Sequence, residues 1–444
     1  MMRISASLAS LALLLAAAPS VAQTTAPDPA RLRADVEKLV SFGTRHTLSS
    51  ATDPKRGIGA AHNWAAGVFA GFGKACGGCL TVERINETFT GPRAPNGVMV
   101  EDVLAIQPGT DGFANVIIIT GHIDSRVSDV MNATADAPGA NDDGSGSALV
   151  IEAAHLLSKE KHRATIVFAL LSGEEQGLWG GQLLASTAKK RGWQVSAMLN
   201  NDIVGNTVGT DGRVVDNLVR VFSEGIRASE DQAATASRRM AGGEDDGPSR
   251  ALARFVEGIA RGNRASGGLA VFNIGRPDRF SRGGDHLPSL ELGYPAIRFS
   301  VGVENYRHQH QDLRTEGGIV YADTVDRMDF HYLAKVTALN VAAIRALAAA
   351  PPAPQNAYLT GGLSSDTTVT WSPVPGAAGY RLYTRRADTA DWQPGPVLGA
   401  DVSSHVIKGM IVDDNFVGVA ALGGDGKGGA PESLITFAGL PPRN

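Results

Sequence analysis

Three apolar runs near the middle of this 444-residue chain narrow its architecture more than anything else in it. They read "NVIIITGH" (115–122), "ATIVFALLSGEE" (164–175) and "SAMLNNDIVG" (196–205). Their apolar parts do not alternate with polar residues, so each predicts a strand covered on both faces. "SGSALVIEAAHLLSKE" between the first two is a helical pattern with Ser145 placed as its N-cap, and "GQLLASTAKKRG" between the second and third is helical again. Strand, helix, strand, helix, strand predicts an α/β fold with a mostly parallel central sheet flanked by helices.

The alternation extends to both sides. "PDPARLRADVEKLVSFG" carries Leu32, Val36, Leu39 and Val40 near helical spacing, with Gly43 placed to close it, and "RGIGAAHNWAAGVFAGFG" reads as a second helix. Strands follow around "LTVERINETF" and "MVEDVLAIQPG". Further on, "LVRVFSEGI" fits a strand or a short helix equally, "PSRALARFVEGIAR" is helical, and "LAVFNI" and "YPAIRFSV" are strands. A long amphipathic helix over about 325–350 ends at "PPAP", which cannot continue it. Beyond Pro351 the period drops to two, with turn signals at short intervals, which predicts a small all-β sandwich. That segment resembles a fibronectin type III module, with Trp371 and Tyr380 at core positions. Its "GGDGKGG" is a turn and lacks the spacing of a phosphate loop.

Composition removes some classes of function. The formal charge of −4 is small for this length and no basic stripe stands out, so no nucleic-acid partner is expected. The N-terminus has Arg3, an apolar stretch from about Leu8 to Ala18, and the small-x-small pattern Ser20-Val21-Ala22. This predicts a signal peptide over 1–22, an exported protein beginning near Gln23, and no membrane span, since no later run reaches about 18 apolar residues. The domain reading is then 23–351 for the α/β part and 352–444 for the sandwich. Cys76 and Cys79 are the two cysteines. In an exported chain they favour a short structural disulfide, with a free or redox pair as the alternative. Asn86 and Asn132 open sequons that matter only in a glycosylating host.

Each central strand ends in groups that can bind metal. The first ends at His122 and Asp124, the second at Glu174 and Glu175, the third at Asp202, and "PGANDDGSGS" places Asp142 and Asp143 before a helix. Singly, each has a plain structural reading: a hydrogen-bonded loop histidine, a helix cap, a solvated acidic turn, or a carboxylate paired with an arginine. Together they point to a metal site, because the carboxyl ends of strands in an open parallel sheet converge. "ENYRHQHQDLR" offers His308 and His310 as a further ligand, and "SRGGDHLPSLE" offers Asp285 and His286.

The ordered set H-x-D, N-D-D-G-S-G, S-G-E-E-x-G, N-x-D and a late histidine resembles the co-catalytic di-zinc exopeptidases. That family includes the bacterial secreted leucyl aminopeptidases, glutamate carboxypeptidases and glutaminyl cyclases, and the likeness covers roughly residues 30–350. The resemblance implies two zinc ions, with Asp142 bridging them. His122, Asp202 and Glu175 complete the set with the late histidine. The family's late histidine stands four residues before an aspartate; His308 and Asp312 share that spacing, so His308 is chosen and His310 is the runner-up. Glu174 would be the catalytic base, and Asp124 would orient His122. Asp285 and His286 would line the site. Where the family often has a tyrosine assisting the oxyanion this chain has Arg307, with Tyr306 one residue earlier. A cis peptide is expected at Asp142–Asp143.

The expected function is an exported zinc aminopeptidase acting on peptides. The alternatives are a carboxypeptidase or glutaminyl cyclase of the same family, or an inactive binding module. The tail is expected to stabilise the protein or to contact a surface or polymer.

Overall fold

The computed structural model describes residues 26–110, 115–263, 268–424 and 429–442. The signal-peptide expectation at 1–22 and most of the "GGDGKGG" turn lie outside the described residues. One eight-stranded sheet is built from β1 (Thr81–Gly91), β2 (Ala94–Gln107), β3 (Asn115–His122), β4 (Thr165–Leu171), β5 (Gln194–Asn201), β6 (Leu218–Phe222), β7 (Ala270–Ile274) and β8 (Ala296–Val301). Their order across the sheet is β1-β2-β4-β3-β5-β8-β6-β7. The four central strands β4, β3, β5 and β8 are mutually parallel. The sheet is mixed toward its edges: β1 and β2 form an antiparallel arm joined to β4, and β6 runs against β8 while pairing in parallel with β7.

The helices are α1 (Pro29–Val40), α2 (Ile58–Ala75), α3 (Gly144–Leu157), α4 (Glu174–Gly177), α5 (Trp179–Lys190), α6 (Gln232–Met240), α7 (Pro248–Asn263), α8 (Leu287–Glu291) and α9 (Phe330–Ala349). Every residue of β3 is buried, which explains its unbroken apolar run. Each of Ile117, Ile118 and Ile119 gains about 1.5–3 kcal/mol by leaving water. Helices α1, α3 and α9 pack together over one face, with Leu32, Val36 and Leu39 turned inward. α9 is long and apolar enough to cross a membrane, but most of it is buried against this core. The segment that fitted strand or helix is the strand β6.

The helix α3 begins earlier than the Ser145 cap predicted. Asp143 is its N-cap, accepting from Gly146 N at 2.9 Å. Ser145 Oγ donates instead to Asn141 O and receives Val204 N. Either residue is a competent cap; the tertiary bond from His122 N to Asp143 Oδ2, 3.0 Å, selects Asp143. Cys76 and Cys79 form a disulfide at the end of α2.

Past a small hairpin, β9 (Arg314–Glu316) and β10 (Ile319–Tyr321), the tail forms two sheets. One holds β11 (Gln355–Thr360), β12 (Thr367–Ser372) and β15 (Ser404–Ile407). The other holds β13 (Gly379–Arg386), β14 (Gln393–Gly399), β16 (Asn415–Leu422) and β17 (Thr436–Phe437). Trp371 and Tyr380 pack in its core with ring centroids 5.2 Å apart. The sandwich sits against the α/β part: Arg385 of β13 pairs with the buried Asp246, which also takes Arg254 of α7 at 2.7 Å. Leu434 belongs to the main core itself.

Candidate metal centre

Parallel pairing brings the C-terminal ends of β4, β3, β5 and β8 to one side of the sheet. His122 is the last residue of β3, and Asp124 lies two residues beyond it. Glu174 and Glu175 open α4 just after β4. Asp202 follows β5, Asp142 precedes α3, and His310 lies on the loop after β8. The turn from β4 into α4 runs through Gly173 at φ 75°, where a Cβ would crowd Val100 and Trp179 at 3.1–3.2 Å.

The side chains converge as two groups, His122 with Glu174 and Asp202, and Asp142 with Glu175 and His310. Within each group the ligand atoms lie within 4.8 Å of one another. Asp142 stands between the histidines: Oδ1 is 3.2 Å from His122 Nε2 and Oδ2 is 2.9 Å from His310 Nε2. His122 Nε2 also faces Asp202 Oδ1 at 3.8 Å, and His310 Nε2 faces Glu175 Oε1 at 3.1 Å. The peptide between Asp142 and Asp143 is cis.

A surrounding layer fixes these groups. Asp124 Oδ1 lies 3.3 Å from His122 Nδ1, and Asp124 Oδ2 accepts from Thr47 Oγ1 at 2.9 Å and from Glu175 N at 3.3 Å. Asp323 receives the Asn141 and Asp142 amides, each at 2.8 Å. Arg126 donates to Glu175 Oε2 at 2.6 Å, with Nη2 2.6 Å from His310 Nδ1. Arg298, fully buried on β8, sets Nη1 2.9 Å from Asp202 Oδ2. Arg93, at the tip of the β1–β2 arm, donates to Glu175 O. Asp285 accepts from Gly181 N at 3.0 Å, and His286 Nε2 pairs with Pro277 O at 2.7 Å.

The donor set fits a divalent cation. Carboxylates resist burial unless something positive compensates them, and here Asp124, Asp142, Asp143, Asp202 and Glu175 are all buried. Among the described residues, buried Glu175 Oε1 and Asp124 Oδ1 have only the imidazoles of His310 and His122 beside them. Burial works against a charged His310, yet Glu175 and Asp142 raise its pKa to about 10. His122 is also held well above the usual imidazole range: burial opposes its charge, but Asp124, Asp142 and Asp202 draw it. The arrangement pulls a cation toward both rings, and carboxylate oxygen with imidazole nitrogen is a zinc-binding combination. Glu174 differs from its neighbours. It is only half-buried, and no hydrogen bond or ion pair among the described residues reaches its carboxylate. Burial pushes its pKa well up.

The choice of His308 is corrected. The ring that faces Asp142 and Glu175 belongs to His310, whose φ of 51° turns it toward the site. His308 lies partly buried beside Arg327, Asp326 and Arg307 instead. Asp312, which suggested His308 by spacing, accepts from Ser128 Oγ. Tyr306 points outward and is exposed. The arginines around the site went unread in the sequence. For Arg298 a signal existed, since a charged residue inside the run "AIRFSV" needs a buried partner.

Residues 102–251 match the model of peptidase family M28. A protein of Leptosphaeria maculans named probable zinc metalloprotease is 41% identical over 398 residues, which is 88% of this chain and 91% of that protein. One of the same name from Pyricularia oryzae is 40% identical, covering 90% of this chain and 81% of its own length. Among solved structures, the Legionella pneumophila LapA aminopeptidase shares the fold at 20% identity, with a TM-score of 0.50 over 72% of each chain. The Fimbriiglobus ruber glutaminyl cyclase does so at 19% identity and a TM-score of 0.51, over 72% of this chain and 95% of that one.

Proposed function

The chain belongs to peptidase family M28 and is a zinc metallopeptidase, and from that premise we propose that it is an exported aminopeptidase working with two zinc ions. The observation that carries the reading is the pair of ligand groups meeting at Asp142. In this reading His122, Asp142, Asp202, Glu175 and His310 would hold the two ions. When bound, the ions supply a Lewis acid for the scissile carbonyl and lower the pKa of the attacking water.

The remaining work falls to the chain. Glu174 takes the proton from the attacking water and hands it to the leaving amine. It suits that role because no other residue among the described ones ties up its carboxylate. Asp124 keeps the His122 ring turned so that Nε2 faces the centre. Arg298 and Arg126 hold Asp202 and Glu175 in place.

The test compares peptides with free and acetylated N-termini on protein whose zinc content is measured. Cleavage of free peptides alone, with two zinc ions per chain, is expected. Cleavage of acetylated peptides would replace the aminopeptidase by a carboxypeptidase. Cyclisation of N-terminal glutamine with no hydrolysis would point to the chemistry of a glutaminyl cyclase, as the Fimbriiglobus ruber protein is named. Export is supported by Arg3 and the apolar stretch that follows it. N-terminal sequencing should find a mature start near Gln23; an intact Met1 on the native protein would refute export by this route. For residues 352–444 we propose a fibronectin type III-like unit, supported by sheets of three and four strands. Superposition on such modules checks it, and a different strand connection would remove it.

A further inference from the structure

A cavity of about 480 Å³ opens beside the metal centre, where β8, β6 and β7 lie together. Arg220 of β6 lines it. Arg276, Arg279 and Arg282 enter from the loop after β7, and Glu304 and Tyr306 from the loop after β8. Arg279 joins cavity and centre: its Nη2 is 4.0 Å from Asp202 Oδ2, and its Nη1 is 3.9 Å from Glu304 Oε2.

Four guanidinium groups thus face a single lining carboxylate. Glu304 is buried and gathers three of them, with Arg220 Nη2 at 2.6 Å, Arg282 Nη2 at 2.7 Å and Arg279 more distant. Asp278 takes Arg279 Nε at 3.0 Å but is shared with Arg298, 3.2 Å away, so it does not neutralise the cavity. The side chain of Arg276 has no hydrogen bond or ion pair among the described residues; its guanidinium rests over the Phe280 ring, 5.5 Å from the centroid. A buried glutamate explains one or two arginine neighbours. It leaves a net positive recess: Arg276 and Arg282 are exposed and solvated, and a cleft lined by one sign of charge concentrates ions of the other. Phe280 and Tyr306 stand exposed at the rim, aromatic surfaces placed where a chain could lie.

Cavities of this volume hold a side chain or a small ligand. Guanidinium forks match the planar pair of oxygens of a carboxylate and bond it bidentately. We propose that this cavity is an anionic subsite that takes a carboxylate carried by the substrate peptide and makes the enzyme prefer acidic peptides. The carboxylate is either an aspartate or glutamate side chain close to the scissile bond or the terminal carboxylate of a very short peptide. The inference rests on the neighbouring centre being a peptidase site. The arginines then orient the substrate by drawing its acid into the cavity beside the centre.

The test uses the zinc-loaded full chain and matched peptides. Glu-Ala-Ala-amide and Ala-Glu-Ala-amide are compared with their glutamine counterparts, and Ala-Gln-Ala with a free carboxyl end is compared with its amide. At least one acidic member should exceed its neutral partner in kcat/KM by roughly tenfold, the worth of one charge-assisted pair. Arg276→Glu should bring that ratio close to one, and Arg276→Lys should keep part of it. Arg386→Glu, a matched charge change in the tail, should leave the ratio as it was. Ratios within twofold of one in every pair overturn the subsite, as does an Arg276→Glu protein that keeps the preference. Side-chain and end-group arms tell the two sources apart. If no peptide is cleaved, the peptidase reading fails, and the subsite is judged separately by calorimetric binding of N-acetylglutamate to chelator-treated protein. Binding that weakens about tenfold or more in Arg276→Glu upholds it, and absent or unchanged binding overturns it.

Discussion

Replacing Arg298 with methionine isolates the electrostatics under the metal centre. Arg298 is fully buried. Its Nη1 faces Asp202 Oδ2 at 2.9 Å and Asp278 Oδ2 at 3.2 Å and donates to Gly283 O at 2.8 Å; its Nη2 donates to Asp202 O at 3.1 Å. Methionine keeps most of the length and removes the charge and the donors. Two buried carboxylates then lose a shared counter-ion, a change that ordinarily destabilises by about 3–5 kcal/mol. Asp278 retains Arg279 at 3.0 Å and Asp202 retains His122 at 3.8 Å, which places the expected loss near the lower end, about 3 kcal/mol. Against a typical total of about 5–15 kcal/mol this is a large fraction. Urea unfolding of both proteins in chelator reads it as a shift in midpoint at constant slope. Repeating the melts in zinc adds a second readout. A cation beside Asp202 replaces part of the missing charge, so the penalty should shrink by about 1 kcal/mol or more, as expected when binding favours the folded state. A loss under about 1 kcal/mol in chelator, or equal losses with and without zinc, would refute the reasoning.

Glu174→Gln should lower kcat by about 10²–10⁴-fold while elemental analysis finds the wild-type zinc content; activity within tenfold of wild type would remove Glu174 as the base. His310→Ala should reduce bound zinc toward one ion per chain and His308→Ala should not, and the reverse pattern would restore His308. Asp35 supplies a pH test away from the centre. Burial first, then the Glu152 charge, raises its pKa to about 7, with Arg31 opposing. The folded state therefore favours the protonated acid, so this contribution to stability is present at low pH and is lost as pH rises from the ordinary carboxylate range through about 7. Asp35→Asn should stabilise the protein by about 1–2 kcal/mol at pH 8, allowing for partial exposure, and make no difference near pH 4; an equal effect at both pH values would contradict this.

The parts legible in the sequence share a physical cause. β3, β4 and β5 are largely covered on both faces, so their runs are mostly apolar, with Ser196 an interruption in β5, and their polar ends stand out. His122, Asp142, Glu174, Glu175 and Asp202 could be collected because parallel strands deliver their ends to one side. The late histidine escaped because a left-handed turn at His310, not a spacing, decides which ring faces inward. The five-residue β6 is too short for its period to separate strand from helix. The arginines of "RPDRFSR" were visible as residues, but nothing local says that their loop folds back beside Asp202. Asp323, which holds the Asn141 and Asp142 amides, sits in an ordinary polar loop and carries no signal at all.

The junction with the sandwich has a mechanical consequence. Five residues, 350–354, separate α9 from β11, and three of them are prolines. Gly242 and Gly243 lie so close to Phe416 and Phe437 that a Cβ on either would collide with a ring, and Asp246 is gripped from both sides by Arg254 and Arg385. Such a joint has no slack to swivel. The cleft is thereby held at one angle to the sandwich, more like a tool set in its handle than a hook on a line.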